Sequence, residues 1–269
     1  MSIWTPPWTG GALGAAKFHS VNKLGIRWMV IPAGTTNVFS PKYDRFIPIS
    51  IPKPLLASQT PITQEQYERV MGKMAFASPG ADHPADSVVY GGAEAFCQRI
   101  GARLPNEREW VYMTMAGAPP EWAQTGVYGP PGDIAWHAGN SGGHSHPVGQ
   151  KEANSLGLYD MLGNVAHWTT STDDGGRTRR AYGASFASPV NMVTATNFFA
   201  LPHRTDSPSV GFRCVIDYTP ETSRVQFLEM EEMAAPPSSG VPSDAESRRR
   251  VTALELDGLR GYGRRSRRR

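Results

Sequence analysis

Two histidines one residue apart (His144 and His146), a single pair of cysteines (Cys97 and Cys214) and the loop NSLGLYDMLGNVAHW at 154–168 are where this sequence could do chemistry. An HxH on a strand offers two imidazoles to one side, a start on a transition-metal site if a third ligand stands near. The cysteines are too far apart in sequence for a CxxC redox or zinc pair. They could close one disulfide, against which a reducing cytoplasm would work. The loop sets glycines, asparagines and Asp160 among Leu, Tyr, Met and Val, and ends on His167 and Trp168. It can be read as a metal loop, a catalytic loop or a turn packed into a core.

The elements that must hold these residues are short. IRWMVIPAG (26–34) reads as a buried strand stopped by Pro and Gly, and RFIPISIP (45–52) as an alternating strand that Pro48 assigns to a sheet edge. Thr63 stands three before Gln66 and Asn106 three before Glu109, the spacing of a capping box, so helices begin there. The first places Tyr67, Val70 and Met71 on one face, and the second buries Trp110 with Met113. Between them GGAEAFCQRIG spaces Ala93, Phe96, Cys97 and Ile100 as a helix does, turning Cys97 inward. From 115 to 190 the helical period vanishes among Gly, Pro, Asn and aromatics, and ordered loop of that length is usually functional. VGFRCVIDY (210–218) reads as a closing strand. The stretch 1–25 reads as an irregular arm, 221–245 as a linker with a short helix in RVQFLEMEEMA, and 246–269 as a basic tail.

Charge is unevenly distributed. The 269 residues carry a formal +3, yet the tail alone holds nine arginines, among them Arg248, Arg249, Arg250, Arg264, Arg265, Arg267, Arg268 and Arg269, so the rest is slightly acidic. Such a tail could neutralise phosphates, dock on an acidic partner or merely solubilise. No apolar run is long enough to span a bilayer, and the first residues lack a basic start with an apolar core, so a cytoplasmic or virion-associated protein without membrane contact is expected.

Several pieces stand in a fixed order: MVIPAG, PITQEQY, HPADSVVYGGAEAFCQRIGARLPNEREW, NSGGHSHPVG, NSLGLYDMLGNVAHW, YGASF and GFRC. Over roughly 26–216 they resemble the formylglycine-generating enzyme (sulfatase-modifying factor) family. The resemblance implies an α+β, loop-rich variant of the C-type lectin fold, here followed by a disordered tail. It also implies that Cys97 and Cys214 face each other at the family's disulfide positions.

The family's oxidase chemistry uses two cysteine thiolates that bind copper after the GGS[FW] motif. The matching positions here are Ser188 and Val193, and no cysteine lies between Cys97 and Cys214. In the family the segment matching GLYDMLGNVAHW wraps calcium: Asp160 matches a side-chain ligand, Gly163 and Val165 match carbonyl ligands, and His167 replaces a usual Glu. A neutral imidazole serves poorly an ion that takes about six to eight oxygens, so the loop is expected to be structural, with Tyr159, Met161, Val165 and Trp168 inward and residual calcium at Asp160 as the alternative. HSHPVG matches a loop where one His commonly precedes Pro, which favours structure over metal binding for the HxH.

With thiolates missing, the expected function is a catalytically silent module of this family. It would bind a protein or other ligand through Phe186, Ser188, Asn191, Asn197, Phe199, His203 and Arg204, while the tail contacts nucleic acid or an acidic partner. One of Phe198 and Phe199 should be core, since neighbours on an extended chain point oppositely. The resemblance extends to the variable proteins of diversity-generating retroelements, whose variable segment precedes a GFR-like ending. The alternatives are a metal-dependent oxidoreductase using His144, His146, His167 and His203, and a structural subunit of a larger assembly.

Overall fold

The computed structural model describes residues 17–218 apart from 41–42, 120–121, 123 and 173–174. The tail arginines, the linker and most of the N-terminal arm lie outside the described residues.

Three small sheets carry the fold. The first has the order β1-β2-β5-β10, from Lys17–Val21, Arg27–Ile31, Leu55–Ser58 and Val215–Asp217, with all neighbours antiparallel. The second is the hairpin of β3 (Gly34–Ser40) and β4 (Arg45–Ile51), where Pro48 sits opposite Asn37 in a two-stranded ribbon that tolerates its missing N–H. The third has the order β8-β7-β6-β9, from Phe198–Pro202, Thr178–Tyr182, Ala166–Trp168 and Val210–Gly211. In it β6 runs parallel to β9 and antiparallel to β7.

Two features depart from the sequence reading. Lys17–Val21 falls within the stretch read as an irregular arm, yet it pairs with β2 and extends the first sheet. The single closing strand expected over 210–218 is two short strands in two different sheets. Between them the backbone is spent on the 58–62 turn, with Ile62 N–H donating to Phe212 O and Ser58 N–H to Cys214 O. This switch places Phe212 and Cys214 toward α2 and turns Arg213 the other way.

The helices begin where the caps required. Helix α1 (Gln64–Met71) and α3 (Glu107–Met115) each start with a complete capping box, Thr63 with Gln66 and Asn106 with Glu109, which satisfies donors that an uncapped first turn leaves open. Helix α2 (Tyr90–Arg99) buries Ala93, Phe96 and Cys97, and its Cys97 is disulfide-bonded to Cys214 with Cα atoms 5.8 Å apart. Between Ala116 and Pro189 the chain forms a one-turn helix α4 (Pro131–Ile134) and the strands β6 and β7, and the rest of its described residues are mostly loop. It is nevertheless well packed.

Two apolar clusters form the interior. One gathers Trp110, Tyr112, Met113, Leu158, Met161, Leu162 and Tyr182 between α3 and the loops. The other gathers Trp28, Ile62, Tyr67, Phe96, Trp168, Phe212 and the disulfide around α1 and α2. The chain thus adopts the mixed α+β, loop-rich arrangement expected.

Candidate functional site

The 154–168 loop is held by polar side chains that replace regular pairing. Asn164 accepts from the His146 N–H and donates to the His146 carbonyl, both at 3.0 Å, so one amide side chain does the work of a strand neighbour. Asp160 and Asn164 take positive φ angles of 49° and 56°, which Asp and Asn tolerate better than other non-glycine residues. Gly163, at φ 73°, presses so closely on the Trp136 carbonyl that no Cβ fits. Met161, Val165 and Trp168 are fully buried as expected. Tyr159 is half-buried and faces an open, polar cavity of about 600 Å³ with Asp133, Lys151 and Glu152.

Asp160 is buried, and its oxygens accept from the Gly149 N–H at 2.7 Å and, more weakly, from Asn164 at 3.4 Å. Burial pushes its carboxyl above the usual range, opposed by the Gly149 hydrogen bond and the Arg213 charge. Arg213 is itself buried, donating to the Ser58 carbonyl at 2.8 Å and the Tyr159 carbonyl at 2.7 Å. Burial draws its guanidinium down to about 10 against the pull of Asp160.

His167 lies beyond. Its Nδ1 accepts from Trp110 Nε1 at 3.1 Å, and because indole is only a donor, the neutral imidazole carries its proton on Nε2. Burial, with the Arg213 charge adding, holds this imidazole well below the ordinary histidine range. No lone pair is left for a cation, and a positive guanidinium stands near Asp160. These residues do not fit a calcium ion at Asp160, Gly163 and Val165. The Asn140 side chain accepts from the His137 N–H and donates to the Ala135 carbonyl as a turn brace.

The copper chemistry of the family meets a similar obstacle. The two cysteines are joined in the core. Ser188 is buried in a tight turn, its Oγ accepting from the Ser185 N–H at 3.0 Å and its carbonyl from the Ala138 N–H at 2.9 Å. Val193 is buried as well. A hydroxyl already bonded and an alkyl group are no Cu(I) ligands. Of the four histidines of the oxidoreductase alternative, His144 and His146 come together with ring centroids 4.6 Å apart, and the other two do not join them. His146 stacks on Trp136 and bonds the Ser141 carbonyl, His167 faces Trp110, and His203 sits on the Arg177 carbonyl. Among the described residues no three His, Cys, Asp or Glu side chains gather as a metal site.

The expected ligand face divides in three. Phe186 and Ser188 lie inside, Phe186 donating its N–H to the Asn164 carbonyl and accepting from Ser141 Oγ. Asn191 is exposed in the 3-10 turn Val190–Met192, and Asn197 is tied to it by a 3.2 Å bond to the Met192 carbonyl. His203 and Arg204 are exposed at the far end of β8, beside Arg177.

Phe199 packs against the second cluster, and the exposed ring is Phe198. The alternation that the sequence offered decides this, since Phe199 and Leu201 share the inward parity of β8. On the outer face Phe198 stands against Tyr182 with the Arg180 guanidinium 4.3 Å over its ring, and Glu107 at the start of α3 holds that guanidinium. Arg180 and the buried Tyr182 were not legible as neighbours of Phe198, because the cross-strand register that joins 178–182 to 198–202 has no local signal.

This arrangement is that of the formylglycine-generating enzyme group of C-type lectin-like folds. The chain belongs to the sulfatase-modifying factor enzyme 1-like domain family, whose sequence profile it matches over residues 21–218. It is 33% identical over 116 residues to the formylglycine-generating enzyme of Mycobacterium tuberculosis, a stretch covering 39% of either chain. The chain thus spans well under half of that relative. Among solved structures, variable protein 1 of Treponema denticola superposes with a TM-score of 0.66 at 21% identity, over 75% of this chain and 99% of that one. PvdO of Pseudomonas aeruginosa superposes with a TM-score of 0.66 at 18% identity, over 77% and 100%. At these identities the two structures speak for the fold alone.

Proposed function

We propose that this protein is a catalytically silent member of its family that binds a protein ligand on the outer face of the segment 190–204. The observation that supports this reading is the fate of the sulfur: both cysteines are locked in the core disulfide, and Ser188 and Val193, which the resemblance matches to the family's copper thiolates, carry no sulfur and are buried. What remains outside is a surface of mixed character. Phe198 and Val190 are 38% and 50% exposed, Asn191 and Asn197 supply adaptable hydrogen bonds, and Arg180 lies over the aromatic ring. Exposed aromatic, amide and guanidinium groups on a rigid base are what recognition surfaces use.

The base is rigid for stated reasons. The Ser185–Ser188 turn, the Ser141–Phe186 bond and the Asn164–His146 pairing tie three loops together beneath the segment. The Arg-rich tail would make a second contact, with nucleic acid or an acidic partner.

Selection of a displayed random-peptide library on the immobilised full chain tests the surface. Enriched clones should lose binding to a Phe198→Asp, Asn191→Asp double variant that keeps its melting temperature. Clones that bind this variant as well as the parent would refute the proposed face.

A further inference from the structure

We infer that the interior behind Tyr159 holds bound water, on the order of one or two molecules, which joins Arg213 to Asp160 and takes up donors from Tyr128 and His167.

Hydrogen bonds and strand register bring these residues to one region. Arg213 donates from Nη1 to the Ser58 carbonyl and from Nη2 to the Tyr159 carbonyl, and Asp160 is the next residue. Strands β6 and β9 pair in parallel with His167 opposite Gly211, two positions before Arg213. Tyr128 lies in the apolar cluster that also holds Leu158 and Met161, on either side of Asp160 in the chain. The Arg213 charge acts on each of the other three, and the Asp160 charge acts on Tyr128. Yet among the described residues no direct bond joins the two opposite charges. The oxygens of Asp160 accept from the Gly149 N–H and, at 3.4 Å, from Asn164, while the guanidinium bonds two carbonyls.

Three buried polar atoms define what lies between. Arg213 Nε, Tyr128 Oη and His167 Nε2 have no hydrogen-bond partner among the described residues. The guanidinium Nε can only donate, and His167 Nε2 is a donor because Nδ1 accepts from Trp110. A donor buried unpaired gives up its hydration without return, and a charged one gives up most. Native interiors therefore satisfy nearly all such groups, with water where no protein atom serves.

The occupant has to accept from N–H and O–H groups and donate to a carboxylate. Water does both. A halide only accepts and would face the Asp160 charge, and a metal ion would face the Arg213 charge and the donors. Because the charges of Arg213 and Asp160 cancel, a neutral guest also leaves this region without a net buried charge. Tyr159 stands between it and solvent: its carbonyl holds Arg213, and the residue lines the open polar cavity.

Crystals of the full chain, grown in chloride and again in bromide, give the first test. A water peak should lie within hydrogen-bond distance of Arg213 Nε and of an Asp160 oxygen, with no bromide anomalous signal there. An anomalous peak at that position would assign a halide and overturn the inference. A direct bond from Arg213 to Asp160 with no peak between them would overturn it too.

The second test is in solution, on the isotopically labelled full chain. The Arg213 Nε–H should show a nuclear Overhauser effect to water, of the sign given by a molecule that tumbles with the protein. Tyr128→Phe removes one hydroxyl and should shorten the residence time of that water about fivefold, the effect of one ordinary hydrogen bond. No such Overhauser effect, or an unchanged residence time in Tyr128→Phe, would overturn the shared site. If Tyr128→Phe fails to fold, the density and the Overhauser effect of the parent decide.

Discussion

The indole N–H of Trp110 meets Nδ1 of His167 at 3.1 Å in the interior, joining helix α3 to strand β6 through one hydrogen bond between side chains that are both fully buried. The bond fixes the imidazole tautomer, and it explains how a histidine sits where the family usually has a carboxylate without a charge to neutralise.

Removing the acceptor should be expensive. His167→Ala leaves the indole N–H unpaired and opens a cavity, and we expect a loss of about 2–4 kcal/mol in urea unfolding. His167→Asn can present an amide oxygen near the position of Nδ1 and should lose about half as much. Equal losses for the two variants would mean that volume, not the hydrogen bond, is what His167 supplies.

The same residue should shape stability against pH. Burial depresses the folded imidazole, so below about pH 6.5 the unfolded chain binds a proton that the folded chain refuses. The stability is complete above that pH and falls as the solution becomes more acidic, by at most about 1.4 kcal/mol per pH unit. Burial also lowers His19 and His83, and it raises Asp160, which acts in the opposite sense at lower pH. The difference between the parent and His167→Asn isolates the one residue. Parallel stability curves for the two proteins between pH 7 and 5 would show that His167 does not titrate as described.

What could be read from the sequence, and what could not, follows the range of the interaction. The capping boxes at Thr63 and Asn106 are local, and both helices begin there. The inward face of α2, Cys97 included, follows from helical spacing. The closing strand was misread because its break at Arg213 depends on hydrogen bonds to Ser58 and Ile62, some 150 positions earlier in a chain whose folding brings them together. Phe199 was preferred to Phe198 as the ligand residue because sequence gives the alternation of a strand but not which side faces the core. The exposed partner of Phe198, Arg180, comes from a cross-strand pairing set by tertiary register.

Asp160 offers a test that separates a buried hydrogen-bond acceptor from a metal ligand. If its charge acts through the Gly149 N–H and, at longer range, on the buried Arg213, Asp160→Asn should cost about 1–3 kcal/mol. Extensive dialysis against a strong chelator should then leave the melting temperature of the parent unchanged. Elemental mass spectrometry of the untreated protein should find neither stoichiometric calcium nor copper. A melting temperature that falls on chelation and is restored by calcium would return Asp160 to the role of ligand and remove the argument from His167.

The proposed second contact turns on the arginines of 246–269, nine of them against Glu246, Glu255 and Asp257. If they neutralise phosphates, the affinity for a single-stranded oligonucleotide should fall steeply with salt, with a logarithmic slope of about −0.7 for each phosphate engaged. Deleting 246–269 should remove most of that slope and leave binding to the β8 face unaltered, because the two contacts use different chemistry. A fluorescence titration of both proteins at several salt concentrations measures it directly. A slope that survives the deletion would place the nucleic-acid contact on the folded domain, where Arg177, Arg179 and Arg204 would be the next residues to change. A slope near zero in both proteins would leave an acidic protein partner as the tail's proposed target.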